Sequence, residues 1–243
     1  MQNAYFNAAA QLLQTIDKTQ NEAMQKAAAL IADTVRQDGL IYTMGNGHSQ
    51  SVALEPFHRS GTLACVSAVL DDSFNFKPTA HAATDLERKE GYTTAVMQQH
   101  DIGPKDVFIV ISNSGRNPAG IDAALYARGK GAKVIVITAL EAHKKLGTKS
   151  RHGSGKMLRD TGDVVLDNCV NSQETALTLG GKNIAPVSTI AGAAIINNIM
   201  YLATERLVKE GFDAPLYLSS NDGGDDNNNK LAARYLGRIK YLG

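Results

Sequence analysis

The chain has 243 residues, of which 43% are hydrophobic, and this is enough to bury a substantial core. Its 25 Lys and Arg residues nearly balance 24 Asp and Glu residues. The resulting net charge of +1 disfavours a general binder of nucleic acids or membrane surfaces, because such proteins need a basic field. Two cysteines cannot build a disulfide scaffold. The amino terminus lacks a signal-peptide pattern and no apolar run is long enough to span a membrane, so we expect a cytoplasmic protein.

The first 36 residues predict one long helix, because apolar side chains recur at helical spacing without Gly or Pro. We expect its apolar side to cover the body of the protein or a partner subunit. From Gly39 onward, short runs rich in Val and Ile alternate with amphipathic segments, which is typical of a parallel sheet with helices on both faces. The predicted strands are residues 40–44, 63–69, 107–112, 134–138 and 164–166, and the predicted helical segments between them include residues 85–99 and 119–129.

The last third of the chain is again predicted to be helical. Pro186, followed by two hydroxyl residues that can cap, predicts the entry of a helix that runs through Leu207. The polar residues 219–229 predict a loop, and residues 230–241 predict a short basic helix. Because we find no repeat or linker, we expect one domain over residues 1–243. It would consist of a helical extension (1–36), an α/β core (37–210) and a carboxyl-terminal loop and helix (211–243).

The residues that follow each predicted strand are the first candidates for a site, because open parallel sheets bind ligands beyond the carboxyl ends of their strands. The first such turn is Gly45-Asn46-Gly47-His48-Ser49. Its glycines permit a sharp turn and close approach of the main chain, and its serine lies where a helix begins. The turn has neither the dinucleotide-binding nor the P-loop pattern. The alternative is a tight strand-to-helix turn without a ligand.

The second turn follows the predicted strand that starts at Val107, and it reads Ser112-Asn113-Ser114-Gly115-Arg116-Asn117-Pro118. Asn117 is predicted to be the N-cap of the next helix and Pro118 its first residue. Two hydroxyls, main-chain N–H groups and the positive end of a helix then meet at one point, which favours a phosphate cradle. The alternative is a polar turn with an ordinary helix cap.

These two turns resemble the pattern of the sugar isomerase (SIS) domain, which has Gly-x-Gly-x-Ser after one strand and Ser-x-Ser-Gly-x-Ser/Thr after a later one. Six residues match it: Gly45, Gly47, Ser49, Ser112, Ser114 and Gly115. Asn117 stands where the family has its last hydroxyl residue, and its amide can still donate a hydrogen bond to a phosphate oxygen. The resemblance implies a flavodoxin-like three-layer α/β/α sandwich with a five-stranded parallel sheet, a phosphosugar ligand bound through its phosphate, and a homodimer or higher homo-oligomer.

More narrowly, the chain resembles a subgroup of SIS proteins that carries the label phosphoheptose isomerase. The segments that carry this resemblance are GHS at 47–49, Glu55, DLERKEGY at 85–92, SNSGRN at 112–117, SRHGSGK at 150–156 and DGGD at 222–225. The resemblance covers most of the chain. It supports the fold and the class of ligand and leaves the reaction open.

Isomerisation between an aldose and a ketose needs a base that moves a proton between neighbouring carbons. Our ranked candidates for the catalytic groups are Glu55, Glu87, His152 and Glu174. Each has a structural alternative. Glu55 can pair with Arg59 at i+4, Glu87 can stabilise the first turn of a helix that Asp85 caps, His152 can belong to an exposed basic turn, and Glu174 can be an ordinary helix residue.

The leading hypothesis is a phosphosugar isomerase that uses no cofactor and binds neither nucleic acid nor membrane. Its predicted phosphate- and substrate-binding residues are Gly45, Asn46, Gly47, His48, Ser49, Ser112, Asn113, Ser114, Gly115 and Asn117. Two alternatives stay open: a non-catalytic phosphosugar sensor, and a lyase, deaminase or deglycase on the same platform. Histidine spacing predicts no metal site unless His48 and His58 meet in the fold. His81 is expected in a loop that can close over the site.

Overall fold

The computed structural model describes residues 3–77, 79–145 and 150–243. Its α-helices are α1 (Ala4–Arg36), α2 (Ser49–Leu54), α3 (Ala80–Glu87), α4 (Tyr92–Met97), α5 (Pro118–Gly129), α6 (Leu140–Lys145), α7 (Ser188–Lys209) and α8 (Asp225–Tyr235). Its strands are β1 (Ile41–Gly45), β2 (Val66–Ala68), β3 (Val107–Ile111), β4 (Lys133–Thr138), β5 (Val164–Asp167), β6 (Thr175–Leu179) and β7 (Lys182–Pro186). Short 3-10 helices cover Asp72–Phe74, Leu158–Thr161 and Ser220–Asp222.

Strands β1 to β5 form one parallel sheet in the order β2-β1-β3-β4-β5, so the predicted five-stranded sheet is confirmed. The chain leaves β1 towards β2 and then returns to β3 on the other side of β1. This is the point where the strand order reverses. Gly45 at the end of β1 pairs with Ile111 at the end of β3, so the turns that follow these two strands leave the sheet side by side.

Helices cover both faces of the sheet, which confirms the three-layer α/β/α fold. On one face α1 packs along α7, and α2 packs against α7 and the strands beside it. On the other face α5 packs on β3 and β4, with α3 and α4 beside it. All residues of β1 and β3 are buried, as a strand covered on both faces requires. None of the helices within the described ranges combines the length and the apolar character that crossing a membrane requires.

The long first helix is confirmed, and its apolar side covers the protein's own fold. Met24 and Ile31 are fully or almost fully buried against the core. Arg206 of α7 donates a hydrogen bond to Gln25 at 2.6 Å, and Tyr5 donates one to the Pro186 carbonyl at 2.9 Å. The apolar side of α1 is thus occupied within one chain.

The sequence interpretation missed an antiparallel hairpin that β6 and β7 form before α7. Gly180 and Gly181 form its turn, with φ of 56° and 74°, and two glycines between short apolar runs are a known hairpin signal. The hairpin delays the predicted helix entry, because Pro186 ends β7 and α7 begins at Ser188.

Two predicted helical segments have different bounds in the structure. Residues 85–99 are not one helix, because Gly91, with φ of 79°, separates α3 from α4. The prediction that Asp85 caps a helix is wrong: Thr79 caps α3 by accepting from the Ala82 N–H group at 3.0 Å, and Glu87 is the last residue of that helix. His81, predicted in a loop, is an exposed residue of α3.

The polar residues 219–229 are a loop only as far as Gly224, because α8 begins at Asp225. The Asn227 side chain donates to the Leu216 carbonyl at 3.0 Å, and Asn228 accepts from the Leu218 N–H group at 2.8 Å. These tertiary contacts hold asparagines in a helix that their propensity disfavours. The predicted basic helix therefore starts earlier than residue 230, and it ends at Tyr235.

Candidate functional site

A cavity of about 280 Å³ lies beyond the carboxyl ends of β1 and β3, where the strand order reverses. Residues 46–49 of the first turn and residues 112–114 and 117 of the second turn line it together. The remaining walls include Glu87, Asn168, Glu174 and Ser188. Gly45 and Gly115 do not line the cavity, and their part is to let the turns form. The structure thus places eight of the ten predicted binding residues in one cavity, and their binding role stays a prediction.

The first turn can form only because Gly45 has no side chain. A Cβ atom there would stand 2.3 Å from the Ser49 carbonyl oxygen. Gly47 adopts φ of 56°, and its N–H group donates to the Phe74 carbonyl at 2.7 Å, which ties the turn to the 3-10 helix at Asp72–Phe74. The Asn46 Nδ2 atom is buried and has no hydrogen-bond partner among the described residues, so it is a donor available to a ligand.

The second turn closes on itself and rests on the end of β4. The Gly115 N–H group donates to Ser112 Oγ at 3.2 Å, and Thr138 Oγ1 donates to the Ser112 carbonyl at 2.6 Å. Thr138 Oγ1 also lies 3.1 Å from Nε2 of the fully buried His143. Burial lowers the pKa of His143, as does the nearby Arg159 charge, so its ring stays neutral beneath the turn.

The second turn has main-chain N–H groups without an acceptor. Within the described ranges, no residue accepts a hydrogen bond from the main-chain N–H groups of Ser114 or Arg116. Asn117 has the extended backbone of an N-cap and Pro118 is the first helical residue, as predicted. The Asn117 side chain does not cap the helix. Its Nδ2 donates to Glu87 Oε1 at 2.8 Å and its Oδ1 accepts from Arg151 at 3.1 Å. The amino end of α5 therefore stays open towards the cavity.

Glu174 forms a polar cluster with residues of three other segments. Its Oε2 accepts from Asn113 Nδ2 at 3.0 Å and from Ser188 Oγ at 3.4 Å. The Asn168 side chain donates to Asn113 Oδ1 and thereby fixes the orientation of that amide. The alternative interpretation, in which Glu174 is an ordinary helix residue, is wrong. Glu174 has φ of 61° immediately before β6, while Ser188 begins α7 after β7.

Three polar lining residues were missed as site residues: Asn168, Ser188 and Thr189. Asn168 directly follows β5, so the rule that selected the turns after β1 and β3 also selects this position. For Ser188 and Thr189 the sequence pattern predicts only a capping role. Nothing in their local sequence indicates the cavity, because the hairpin that brings them there was not predicted.

The four candidate catalytic residues separate into two pairs. Glu87 and Glu174 line the cavity. Glu55 does not, and it pairs with Arg59 at 2.9 Å and accepts from Asn197 at 3.1 Å. These positions do not test a catalytic role, so all four assignments stay predictions. The geometry favours Glu87 and Glu174, which lie inside the cavity.

His152 lies outside the cavity lining and is almost fully buried, with 7% of its side chain exposed. Its Nε2 lies 3.0 Å from Asp122 Oδ1 and its Nδ1 lies 2.7 Å from Ser154 Oγ. The turn around it is exposed, as the alternative had it, since Arg151 and residues 153–156 are exposed, but the His152 side chain is directed inwards. It anchors residues 150–156 against α5.

His48 and His58 pack against different aromatic rings. The His48 ring lies 5.2 Å from the Phe76 ring, and the His58 ring lies 5.0 Å from the Tyr217 ring. Among the residues that the structure describes, no three His, Cys, Asp or Glu side chains come together as a metal would require.

The fold is that of an α/β protein with a cavity at the reversal point of a parallel sheet. The family model of the SIS domain matches residues 4–139, which is more than half of the chain. A UPF0309 protein of Listeria innocua is 39% identical over 100% of this chain and 99% of its own length. A UPF0309 protein of Halalkalibacterium halodurans is 36% identical over 100% and 97%. The chain belongs to the SIS domain family, and the resemblance of its two turns is confirmed.

Solved structures show the same fold. The phosphoheptose isomerase of Francisella tularensis superposes with a TM-score of 0.54 at 18% identity, over 83% of this chain and 96% of that protein. The phosphoheptose isomerase of Neisseria gonorrhoeae superposes with a TM-score of 0.53 at 21% identity, over the same shares. At this identity the likeness concerns the fold.

Proposed function

We propose that this protein binds a phosphorylated sugar in the cavity and interconverts its aldose and ketose forms. The observation that carries the proposal is the convergence of donors and carboxylates on one space. Ser112 and Ser114 of the second turn share the cavity with Ser49 of the first, and Glu87 and Glu174 stand in its walls. Several donors on one phosphate form charge-assisted hydrogen bonds, which anchor a small ligand strongly. Membership of the SIS family and the names of the two solved isomerases agree with this choice.

The phosphate belongs at the two turns, because most of the unpaired donors are there. Asn46 Nδ2, the open N–H groups beside Gly115 and the serine hydroxyls offer hydrogen bonds without needing to break others. The amino end of α5 adds a favourable dipole. With the phosphate held, the carbonyl end of the sugar extends towards the carboxylates, and this positioning replaces a chance encounter with a fixed geometry.

The chemistry requires one base and one group that moves protons between oxygens. The base takes the proton from C2 of the aldose as the C1–C2 enediol forms, and it returns a proton to C1 to give the ketose. Glu87 and Glu174 are the two carboxylates placed for this step. His48, at the mouth of the cavity, is our choice for moving the proton between O1 and O2, because an imidazole donates at one nitrogen and accepts at the other.

Binding is tested by thermal shift with a panel of hexose and heptose phosphates. A ligand at a hundredfold excess over its dissociation constant adds about 2.7 kcal/mol to the free energy of unfolding, which is readily measured. We expect Ser114→Ala to weaken binding about tenfold through loss of one hydrogen bond to a charged group. The matched control is Ser60→Ala, since Ser60 is exposed and outside this cavity. If no phosphosugar shifts the melting temperature, the proposal is wrong.

The reaction is tested by deuterium exchange at C2 of each sugar that binds, measured by NMR in D₂O. An isomerase incorporates solvent label, and a sensor binds the sugar without labelling it. One of the variants Glu87→Gln and Glu174→Gln removes the base. That variant should slow the exchange about a hundredfold or more while the sugar still binds. Glu55→Gln should leave the exchange rate near that of the wild type, because Glu55 lies outside the cavity.

A further inference from the structure

Three arginines gather beside the wall of the cavity that Asn117 and Glu87 form. Arg88 directly follows Glu87 at the end of α3, and Arg116 directly precedes Asn117. Arg151 comes from residues 150–156 and reaches the same place. Its guanidinium donates to Asn117 Oδ1 at 3.1 Å, and its main-chain N–H group donates to the Arg116 carbonyl at 2.9 Å.

Six of the other seven arginines form ion pairs with a carboxylate, whereas these three, like Arg206, form none among the described residues. Ion pairs with Asp or Glu are formed by Arg36, Arg59, Arg128, Arg159, Arg234 and Arg238. Among the described residues, none of Arg88, Arg116 or Arg151 forms one. Two carboxylates lie in the same region and keep their charge, but their printed hydrogen bonds go to neutral donors: Glu87 accepts from Asn117, and Glu90 accepts from the Gly153 N–H group at 2.7 Å.

Two further observations concern this cluster: one of its donors lacks a partner, and its positive charges repel one another. The Nε atom of Arg116 is buried and has no partner among the described residues, although a buried polar atom is normally paired. Burial lowers the pKa of Arg151, and repulsion from Arg116 and Arg88 lowers it further, against a weaker opposing effect of Glu87. Like charges brought together raise the local concentration of an anion.

We propose that Arg88, Arg116 and Arg151 form a second anion subsite, which holds a carboxylate or a second phosphate on the sugar bound in the cavity. The inference rests on the proposed function and narrows its substrate to phosphosugars that carry another negative group. The planar guanidinium fork suits both kinds of anion, because it donates two parallel hydrogen bonds to a pair of oxygens.

The subsite and the phosphate turns share one wall, which sets how a ligand spans them. Asn117 lines the cavity on one side and accepts from Arg151 on the other. None of the three arginines lines the cavity itself, so in the proposed complex a sugar whose phosphate lies at Ser112 and Ser114 extends past Glu87 and Asn117 to bring its second anionic group to Arg151. In this arrangement the Glu87 carboxylate lies between the two anion subsites, next to the carbons of the sugar.

The subsite is tested by isothermal titration calorimetry at fixed, near-physiological salt with two pairs of ligands. One pair compares fructose 6-phosphate with fructose 1,6-bisphosphate, and the other compares glucose 6-phosphate with 6-phosphogluconate. The first pair probes a second phosphate and the second pair probes a carboxylate. We expect at least one doubly anionic ligand to bind about tenfold or more tightly than its partner, as a hydrogen bond to a charged group predicts.

Arg151→Gln should remove that preference and leave the affinity for the singly phosphorylated sugar nearly unchanged. Arg116→Gln is the second variant, should Arg151→Gln fail to fold by circular dichroism. Lys105→Gln is the matched control, because it removes one positive charge from an exposed residue beside the amino end of β3, at the opposite edge of the sheet. The control should keep the full preference.

The outcomes separate the subsite from the proposed function. Equal affinity within both pairs, or a preference that survives both arginine variants, overturns the subsite while phosphosugar binding stands. Ser114→Ala should weaken all four ligands together and keep the preference. If the wild type binds none of the four ligands, nor any other phosphosugar in the thermal-shift panel, the proposed function is wrong and the arginine subsite with it.

Discussion

Gly115 controls the shape of the second turn because two buried side chains stand directly behind it. A Cβ atom at Gly115 would lie 2.7 Å from His143 Nε2 and 2.9 Å from Thr138 Oγ1, and the residue has φ of 56°. Thr138 in turn holds the Ser112 carbonyl. A side chain at Gly115 would therefore displace Thr138 or His143, and through Thr138 it would displace Ser112.

We expect Gly115→Ala to lower both stability and phosphosugar affinity. The positive φ alone costs about 1 kcal/mol, and the clash with His143 displaces the turn and weakens binding about tenfold or more. Gly211→Ala is the control, because Gly211 has φ of 76° with no atom near its missing Cβ. The control should lose stability without losing affinity. Equal affinities for the two variants, measured by calorimetry, would contradict the role of Gly115.

His100 makes stability depend on pH. Burial lowers its pKa to about 4, and the Lys240 charge adds to the effect. Its ring packs edge-on against Tyr42 at 5.9 Å. The unfolded chain, where a histidine pKa is near 6.5, binds a proton more readily than the folded chain. Stability from this residue is therefore fully present above about pH 6.5 and is lost as the pH falls towards 4.

We predict that the wild type loses up to about 3 kcal/mol of unfolding free energy through His100 between pH 6.5 and 4. Urea unfolding measured across this range should show a shallower pH slope for His100→Phe. His81→Gln should keep the slope of the wild type, because His81 is exposed on α3. If the wild type and His100→Phe lose stability in parallel, the pKa of His100 is not lowered as described.

At the scale of elements, α7 links the core to the site. Its buried face packs along α1, while its first residues, Ser188 and Thr189, line the cavity. The β6–β7 hairpin precedes it and joins Glu174 to Ser188, which bond to each other. One wall of the cavity is therefore positioned by packing that lies far from the turns.

Ile31→Ala should destabilise the protein by about 2–5 kcal/mol, because Ile31 is fully buried on α1 and the substitution leaves a cavity. Urea denaturation measures the loss. Val208→Ala on α7 is the comparison, since 59% of Val208 is exposed and its truncation should cost about 0.5 kcal/mol or less. Similar losses for the two variants would show that α1 does not pack on the core as described.

At the scale of the whole molecule, strand order brings the two turns together. Residues 45–49 and 112–117 are distant in sequence, and they become neighbours because β1 and β3 are paired in register. The parallel direction of all five strands places every following turn at one edge of the sheet. The cavity is a direct consequence of this topology.

The homodimer stays a prediction of the family resemblance. The apolar side of α1, one of its two supports, is covered by α7 of the same chain. A dimer must therefore use another surface. Since the prediction covers a homodimer or a higher homo-oligomer, sedimentation velocity at micromolar concentration should show a species of at least twice the chain mass, and a single species of the chain mass would contradict it. The expectation of one domain over residues 1–243 also stays a prediction.

The sequence predicts the position of some site residues correctly and of others incorrectly. Ser49, Ser112 and Ser114 were selected correctly for placement in one cavity, because the rule that ligands bind beyond strand ends needs only the position of each strand. Glu55 and His152 were selected by residue type and local context alone. Their partners, Asn197 and Asp122, lie far along the chain, so no local pattern shows that these side chains are already engaged.

The sequence by itself determined the alternation of strands and helices and the two turns that carry serines. Apolar periodicity and glycine placement are local properties, and both can be read along the chain. Only the tertiary structure decided which carboxylates enter the cavity, that a hairpin delivers Ser188, and that three arginines gather without forming ion pairs. Each of these depends on contacts between distant segments, such as Glu87 with Asn117 and Asn113 with Glu174, and such contacts exist only once the sheet has set the strand order.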